Sequence, residues 1–248
     1  MAGRDVAVVN GCGVTNEAVK QTRAAIRRLR RERPAAELIV TGCASEMERD
    51  AFAAMPEVDR IVPNAAKLLP TSWGPAGANM PPPRRHTRGF VAAQNGCDHG
   101  CTFCAIPMGR GASRSDPAGE IVRAVAARVA DGQCEVVLSG CDLASYHDRG
   151  MRLGDLVARI LAETDIGRLR LSSLDPAAID PALFEMLTQE ARVMPHVHLS
   201  LQAGDDLVLK RMKRRHARAD AVRLIERLKA ARPELTIGAD LIAGFPTE

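Results

Sequence analysis

Residues 89–104 read GFVAAQNGCDHGCTFC, a short apolar run followed at once by a loop that carries three cysteines. The run 89–93 fits a buried strand. Cys97, Cys101 and Cys104 then follow as C-x3-C-x2-C on a glycine-bearing loop. Three soft ligands this close in sequence can converge on one face, as thiolate-ligated iron–sulfur clusters require. The same thiols, with His99 or a distant cysteine as fourth ligand, also suit tetrahedral zinc, so the spacing leaves both metals open. A purely structural trio is disfavoured, because free thiols crowded into one loop invite oxidation.

Outward from this loop the chain alternates strand and helix. Apolar runs at 135–138, 168–171, 196–201 and 235–243 read as strands. Between them, helical patterns cover 117–130, 153–163, 180–190, 206–215 and 217–231. Five strands with helical crossovers predict a β/α barrel or an open parallel sheet, whose chemistry sits where strands end. Upstream, residues 70–88 hold five of the 15 prolines and read as a linker. Before it, strands are expected at 5–9, 37–40 and 59–62. Thr15 should cap a helix over 16–33, and Ser45 the helix that follows. The fold class is therefore α/β. A small parallel layer spans 1–69, a linker 70–88, and a larger parallel unit 89–248.

Composition bounds the function. The chain has 248 residues, net charge +4, 46% hydrophobic residues and only seven aromatics, so its core rests on Ala, Val, Leu and Ile. That hydrophobic fraction excludes a disordered chain. Seven cysteines without a targeting layout at the start point to a reducing, cytoplasmic setting rather than a disulfide scaffold. No apolar run approaches ~18 residues, so no membrane span is expected.

The cysteine loop after the first strand of a β/α repeat resembles the radical S-adenosylmethionine (SAM) superfamily. The resemblance implies that Cys97, Cys101 and Cys104 hold three irons of a [4Fe–4S] cluster whose open iron chelates SAM. Phe103 falls at the superfamily's aromatic position beside the adenine. CTFCAIPMGRGASRS (101–115), VVLSGCDLASYH (136–147), LRLSSLDP (169–176), HVHLSLQAGDDLVLKRMKRRH (196–216) and GADLIAGFPTE (238–248) narrow it to methylthiotransferases. SGCDLASYH is most similar to the enzymes that add a 2-methylthio group to N6-threonylcarbamoyladenosine at tRNA position 37. Isopentenyladenosine and ribosomal-protein methylthiotransferases are the alternatives, and a non-catalytic metal-binding fragment is the competing class. VVNGCGVT (8–15) and VTGCASE (40–46) resemble two of three motifs for an auxiliary [4Fe–4S] cluster, which implies Cys12 and Cys43 as ligands. Against the family pattern the chain reads as a fragment. The remaining auxiliary cysteine is expected upstream of Met1, and the partial barrel is truncated after its fifth strand, without a C-terminal RNA-binding β-barrel. The implied reaction uses one SAM to methylate sulfur and another to generate the radical that opens the C2–H bond. Implied partners are a tRNA anticodon loop and an electron donor such as flavodoxin or ferredoxin, the protein acting as a monomer.

Other polar residues gather at strand ends. Gly140 permits close approach of a ligand to the backbone. Ser200 and Gln202 either cap their strand or bond SAM's ribose or carboxylate. Ser172, Ser173, Asp240 and Gly244 are expected around the same mouth. His196 and His198 read as packing residues, as do Cys134, at a strand start, and Cys141. Residues 210–218 hold six Lys or Arg in nine. Lys210, Arg211, Lys213, Arg214 and Arg215, with Arg110 and Arg114, are the expected RNA phosphate contacts. The Arg-rich run 27–33 reads as a solvated helix face.

Overall fold

The structure, a computed structural model, describes residues 5–67, 69–73, 87–246 and 248. The described residues fall into two units by their contacts: residues before 74 together with Cys104–Gly111, and residues 87–103 together with those from 112 onward. Of the expected linker, 74–86 lie outside the described residues; Pro70–Trp73 form a single 3-10 turn and Arg88 opens a strand.

In the first unit, strands β1 (Val6–Gly11), β2 (Glu37–Gly42) and β3 (Arg60–Val62) run parallel in the order β1-β2-β3. The unbroken apolar run of β2 makes it the buried centre. Helix α1 (Asn16–Glu32) is capped as its sequence predicts, with Thr15 Oγ1 accepting from the Ala18 N–H. Its buried Val19 and Ile26 pack with Leu38, Val40 and Phe52. Helices α2 (Cys43–Met47) and α3 (Arg49–Ala53) follow β2. Ser45 is not their cap. The chain turns into α2 directly at Gly42, and buried Ser45 instead donates to the Gly42 carbonyl at 3.0 Å. The turn requires glycine, since Gly42 has φ +104° and a Cβ there would lie 2.3 Å from Gly11 O. The Arg-rich face of α1 is only partly solvated. Arg30 donates to the Glu57 and Ala36 carbonyls and pairs with Asp59, tying α1 to the sheet's edge. Helix α4 (Ile106–Arg110) belongs to the same unit.

In the second unit, β4 (Arg88–Ala92), β5 (Glu135–Ser139) and β6 (Arg168–Leu171) form a parallel sheet with β5 central. Strands β7 (His196–Gln202) and β8 (Thr236–Leu241) form a second parallel pair. The two join through a parallel bridge between Leu174 and Leu199, with Leu174 N–H donating to His198 O and Ser200 N–H to Leu174 O. Spatial order thus follows chain order, the arrangement of a β/α barrel arc. Helices α5 (Ala118–Ala130), α6 (Leu153–Glu163), α7 (Pro181–Gln189) and α9 (Arg218–Ala231) lie between strands in the chain and contribute to a core of Ile121, Val136, Leu138, Leu156, Ile160 and Leu228.

Two expectations need correction. Helix α8 spans Asp206–Arg211 and does not reach Arg215, because Met212 gives its carbonyl to Thr102 N–H and Lys213 takes φ +57°. Cys134 is exposed ahead of β5, not part of the core.

Candidate metal centre

The cysteine loop leaves the carboxyl end of β4. Gln94, buried there, organises it: Gln94 Nε2 donates to Gly96 O (2.8 Å), Asn95 O (3.1 Å) and Ser113 Oγ (2.9 Å). Its Oε1 accepts from the Asp142 N–H at 2.8 Å, so one side chain ties the loop to the segment after β5. Cys97 Sγ accepts from the His99 N–H at 3.4 Å and lies 4.0 Å from Asp142 Oδ2. His99 Nε2 is 2.7 Å from that carboxylate. The loop is stapled on its other side by Thr102. Its N–H donates to Met212 O at 3.3 Å and its hydroxyl to Arg211 O at 3.1 Å. Arg214 Nη1 donates to Cys101 Sγ at 3.4 Å. Behind Arg214 stands Asp175. Burial raises its pKa, but the Ala177 N–H and the Arg214 and Arg215 cations outweigh that and hold it below the usual carboxylate range.

The donor set fits a thiolate-bound cluster. Cys97 and Cys101 are half-buried thiols outside any disulfide, each meeting an N–H donor, the surroundings that stabilise cluster sulfur. Cys97, His99 and Asp142 also offer three ligand atoms within 4.8 Å of one another, a set that geometry alone would equally give to zinc.

In the first unit, β1 and β2 end side by side, Gly11 opposite Gly42, and lead to Cys12 in a loop and Cys43 at the start of α2. Gly13 lies against the first turn of α2 so closely that a Cβ would stand 2.9 Å from the Cys43 carbonyl carbon. The two cysteines thus follow adjacent strand ends; Cys12 is exposed and Cys43 half-buried. Cys43 Sγ accepts from Arg110 Nε at 3.0 Å and from Asn64 Nδ2 at 3.7 Å. Asn64 is buried, donates to Gly109 O at 2.6 Å and leaves its Oδ1 without a partner. Cys104, half-buried, opens the segment that ends in α4.

Comparison with known proteins discriminates between the metals. Residues 91–248 match the Radical SAM superfamily, and residues 2–63 match Uncharacterized protein family UPF0004. The chain belongs to the radical SAM superfamily. A protein of Rickettsia prowazekii named threonylcarbamoyladenosine tRNA methylthiotransferase MtaB is 42% identical over all of this chain and 64% of its own length. One of that name from Chlamydia pneumoniae is 34% identical over 98% and 59%. A tRNA-2-methylthio-N(6)-dimethylallyladenosine synthase of Anaeromyxobacter dehalogenans is also 34% identical, over 98% and 57%. The chain thus spans less than two thirds of these relatives. Among solved structures, the radical SAM methyltransferase TsrM from Kitasatospora setae superposes with a TM-score of 0.67 at 17% identity, over 99% of this chain and 56% of that one. This likeness supports the fold.

Around the radical SAM loop, the remaining expectations sort by burial. Phe103 is over one-third exposed. Gly140 is half-buried, and a Cβ there would meet Gln94 Oε1 at 2.9 Å and Leu143 Cα at 3.1 Å, so the absence of a side chain makes room for Gln94. Ser200 and Gln202 are half-buried at the end of β7, Gln202 at φ +71°. Ser172 Oγ is buried without a partner, while Ser173 Oγ and His198 Nδ1 are 2.9 Å apart. His198 Nε2 lies 3.7 Å from exposed Asp240, and Gly244 takes φ +72° beyond β8. Burial, then the Arg170 charge, lowers the His196 pKa. Cys141 Sγ sits 3.3 Å from Asn95 Oδ1.

Two expected phosphate contacts face sulfur instead. Arg214 is 7% exposed and Arg110 is half-buried against Cys43. Lys210, Arg211, Lys213, Arg215 and Arg114 are exposed. The sequence reading missed Gln94, Asp142, Asn64 and Asp175. Their common signal is a polar residue just beyond an apolar strand run, visible only once burial is known.

Proposed function

We propose that this chain is the cluster-bearing part of a tRNA methylthiotransferase that places a 2-methylthio group on N6-threonylcarbamoyladenosine at position 37. The observation that carries this reading is the C-x3-C-x2-C loop at the end of β4, within a chain 42% identical along its whole length to the Rickettsia protein of that name. The 34% identity to a dimethylallyladenosine synthase makes that nucleoside the second reading. When bound, a [4Fe–4S] cluster with SAM supplies a carbon radical able to take hydrogen from an unactivated C–H bond. Cys97, Cys101 and Cys104 are the residues that hold it, and Cys12 and Cys43 belong to an auxiliary cluster. Gln94 and Thr102 keep the loop in place through their bonds to Gly96, Ser113, Met212 and Arg211. Phe103 lies beside the adenine, and Ser200 and Gln202 bond the ribose or carboxylate. Lys210, Arg211, Lys213, Arg215 and Arg114 meet the phosphates of the anticodon loop, whose unstacked bases suit chemistry at a base edge. Domains at 1–69 and 89–248 about a linker, a flavodoxin or ferredoxin as electron donor, a monomeric state and a cytoplasmic setting complete the proposal. Among the described residues no helix is long and apolar enough to cross a membrane.

The test is anaerobic reconstitution with iron counting, EPR and detection of 5′-deoxyadenosine. Cys97→Ala is expected to lose reductive SAM cleavage. Cleavage that persists in this variant sinks the assignment. Mass spectrometry of tRNA nucleosides from a deletion strain decides which adenosine is modified.

A further inference from the structure

The segment after α8, a basic run in sequence, folds back on the cysteine loop. Met212, fully buried, and Arg211 accept both Thr102 donors through their carbonyls. Lys213 reverses the chain in the left-handed region, and Arg214 N–H returns to Leu209 O. The reversal delivers the Arg214 guanidinium into the interior. Nη2 donates to Ser200 O at 2.7 Å and to Asp175 Oδ2 at 3.3 Å, while Nη1 donates to Cys101 Sγ at 3.4 Å. Asp175 is itself fixed, accepting from Ala177 N–H at 2.9 Å and from Arg215 Nη2 at 3.2 Å. Few arrangements justify burying a guanidinium, and this one is anchored through Nη2 by a carboxylate and a carbonyl while Nη1 faces sulfur.

We propose that Arg214 is a positioning and tuning residue that donates an N–H to the Cys101 ligand sulfur and so raises the reduction potential of the metal centre, with Asp175 opposing it through its charge. The inference rests on the cluster assignment above. Reduction adds electron density to the ligand sulfurs, so an N–H donor and a nearby cation favour the reduced state, whereas a buried carboxylate disfavours it. The assignment also takes Arg214 out of the phosphate-binding set.

The experiment uses the full chain, reconstituted in a Cys43→Ala background so that one cluster reports. The reduced-to-oxidised ratio is read by EPR at a fixed ambient potential. Arg214→Met is expected to lower the ratio about tenfold, the size of one charge-assisted hydrogen bond. Asp175→Asn is expected to raise it, and Arg214→Lys to lower it less than Met does. Opposite signs for the Arg214 and Asp175 variants support tuning, because mere loosening of a salt bridge would move both alike. A full iron complement with an unchanged ratio in Arg214→Met, or shifts of one sign in both, overturns it. If Arg214→Met holds no iron, the Lys and Asn variants carry the same comparison. An unsubstituted chain without a [4Fe–4S] signal would instead overturn the cluster assignment beneath it.

Discussion

Gly109 lies inside α4, where helix propensity alone recommends alanine. The Gly109→Ala exchange should gain up to ~1 kcal/mol in a helix interior, and less in a five-residue helix. The structure predicts the opposite sign. A Cβ at Gly109 would stand 2.8 Å from Cys43 Cβ, 3.3 Å from its Sγ and 3.4 Å from its Cα. None of these atoms is the free end of a long side chain, so relief requires moving the backbone of α2. Gly13 also approaches that backbone closely, a Cβ there standing 2.9 Å from Cys43 C and 3.0 Å from Ala44 N. Overpacking of this kind costs ~1–3 kcal/mol, which outweighs the helical gain and leaves a net destabilisation of roughly 1 kcal/mol. Urea unfolding followed by circular dichroism should show a lower midpoint with an unchanged slope. The variant should also hold less iron attributable to the auxiliary cluster, since Cys43 Sγ is displaced from Arg110 and Asn64. A Gly109→Ala protein that is more stable, as an open helix position would be, refutes the close packing of α4 on Cys43.

Two further outcomes follow from charges elsewhere. Glu135, at the start of β5, receives Arg88, Arg168 and Arg170 at 2.8–3.0 Å; burial raises its pKa, but these partners hold it below the usual value. Arg88 and Arg168 are over half exposed and contribute little, so Glu135→Gln should cost ~2 kcal/mol, chiefly through the more buried Arg170. A loss below about 0.5 kcal/mol in denaturant titration would show the cluster to be ornamental. Stability should also fall on acidification in two stages. Burial, then the Arg214 charge, lowers the pKa of His216, so the fold favours its neutral ring. That contribution is complete above the unfolded value near pH 6.5 and declines as pH falls below it. Glu135 and Asp175, both lowered, contribute above roughly pH 4 and lose their share as pH drops through their folded values. Melting temperature against pH should show both stages, and His216→Phe should shrink the upper one, leaving the share of His196, whose pKa is also lowered; an upper stage of the same size in both proteins contradicts this.

Much of this fold was legible because its elements bury continuous apolar runs. β5 and β6 and helix α6 lie where periodicity places them, and the cysteine loop begins at a strand end as the barrel pattern demands. What sequence could not convey was set by partners far along the chain. The run 206–215 reads as one helix because Leu, Lys and Arg all favour it. It stops at Arg211 because a threonine 109 residues away captures the backbone that follows. Cys134 reads as interior from its apolar successors, yet it precedes the first buried residue of β5 and its side chain is left in solvent. Arg110 and Arg214 look in sequence like their basic neighbours, but their sulfur acceptors lie 67 and 113 residues away. A cationic run announces a charge, and burial decides what that charge serves. The exposed Lys210, Arg211, Lys213 and Arg215 stand where solvent and a polyanion can reach them, each at modest and salt-dependent benefit. A buried guanidinium has no such freedom, because its desolvation must be repaid by fixed acceptors. At Arg214 those acceptors are a carboxylate, a strand carbonyl and a cysteine sulfur, which is why its substitution should register in the metal centre's potential before it registers in RNA binding.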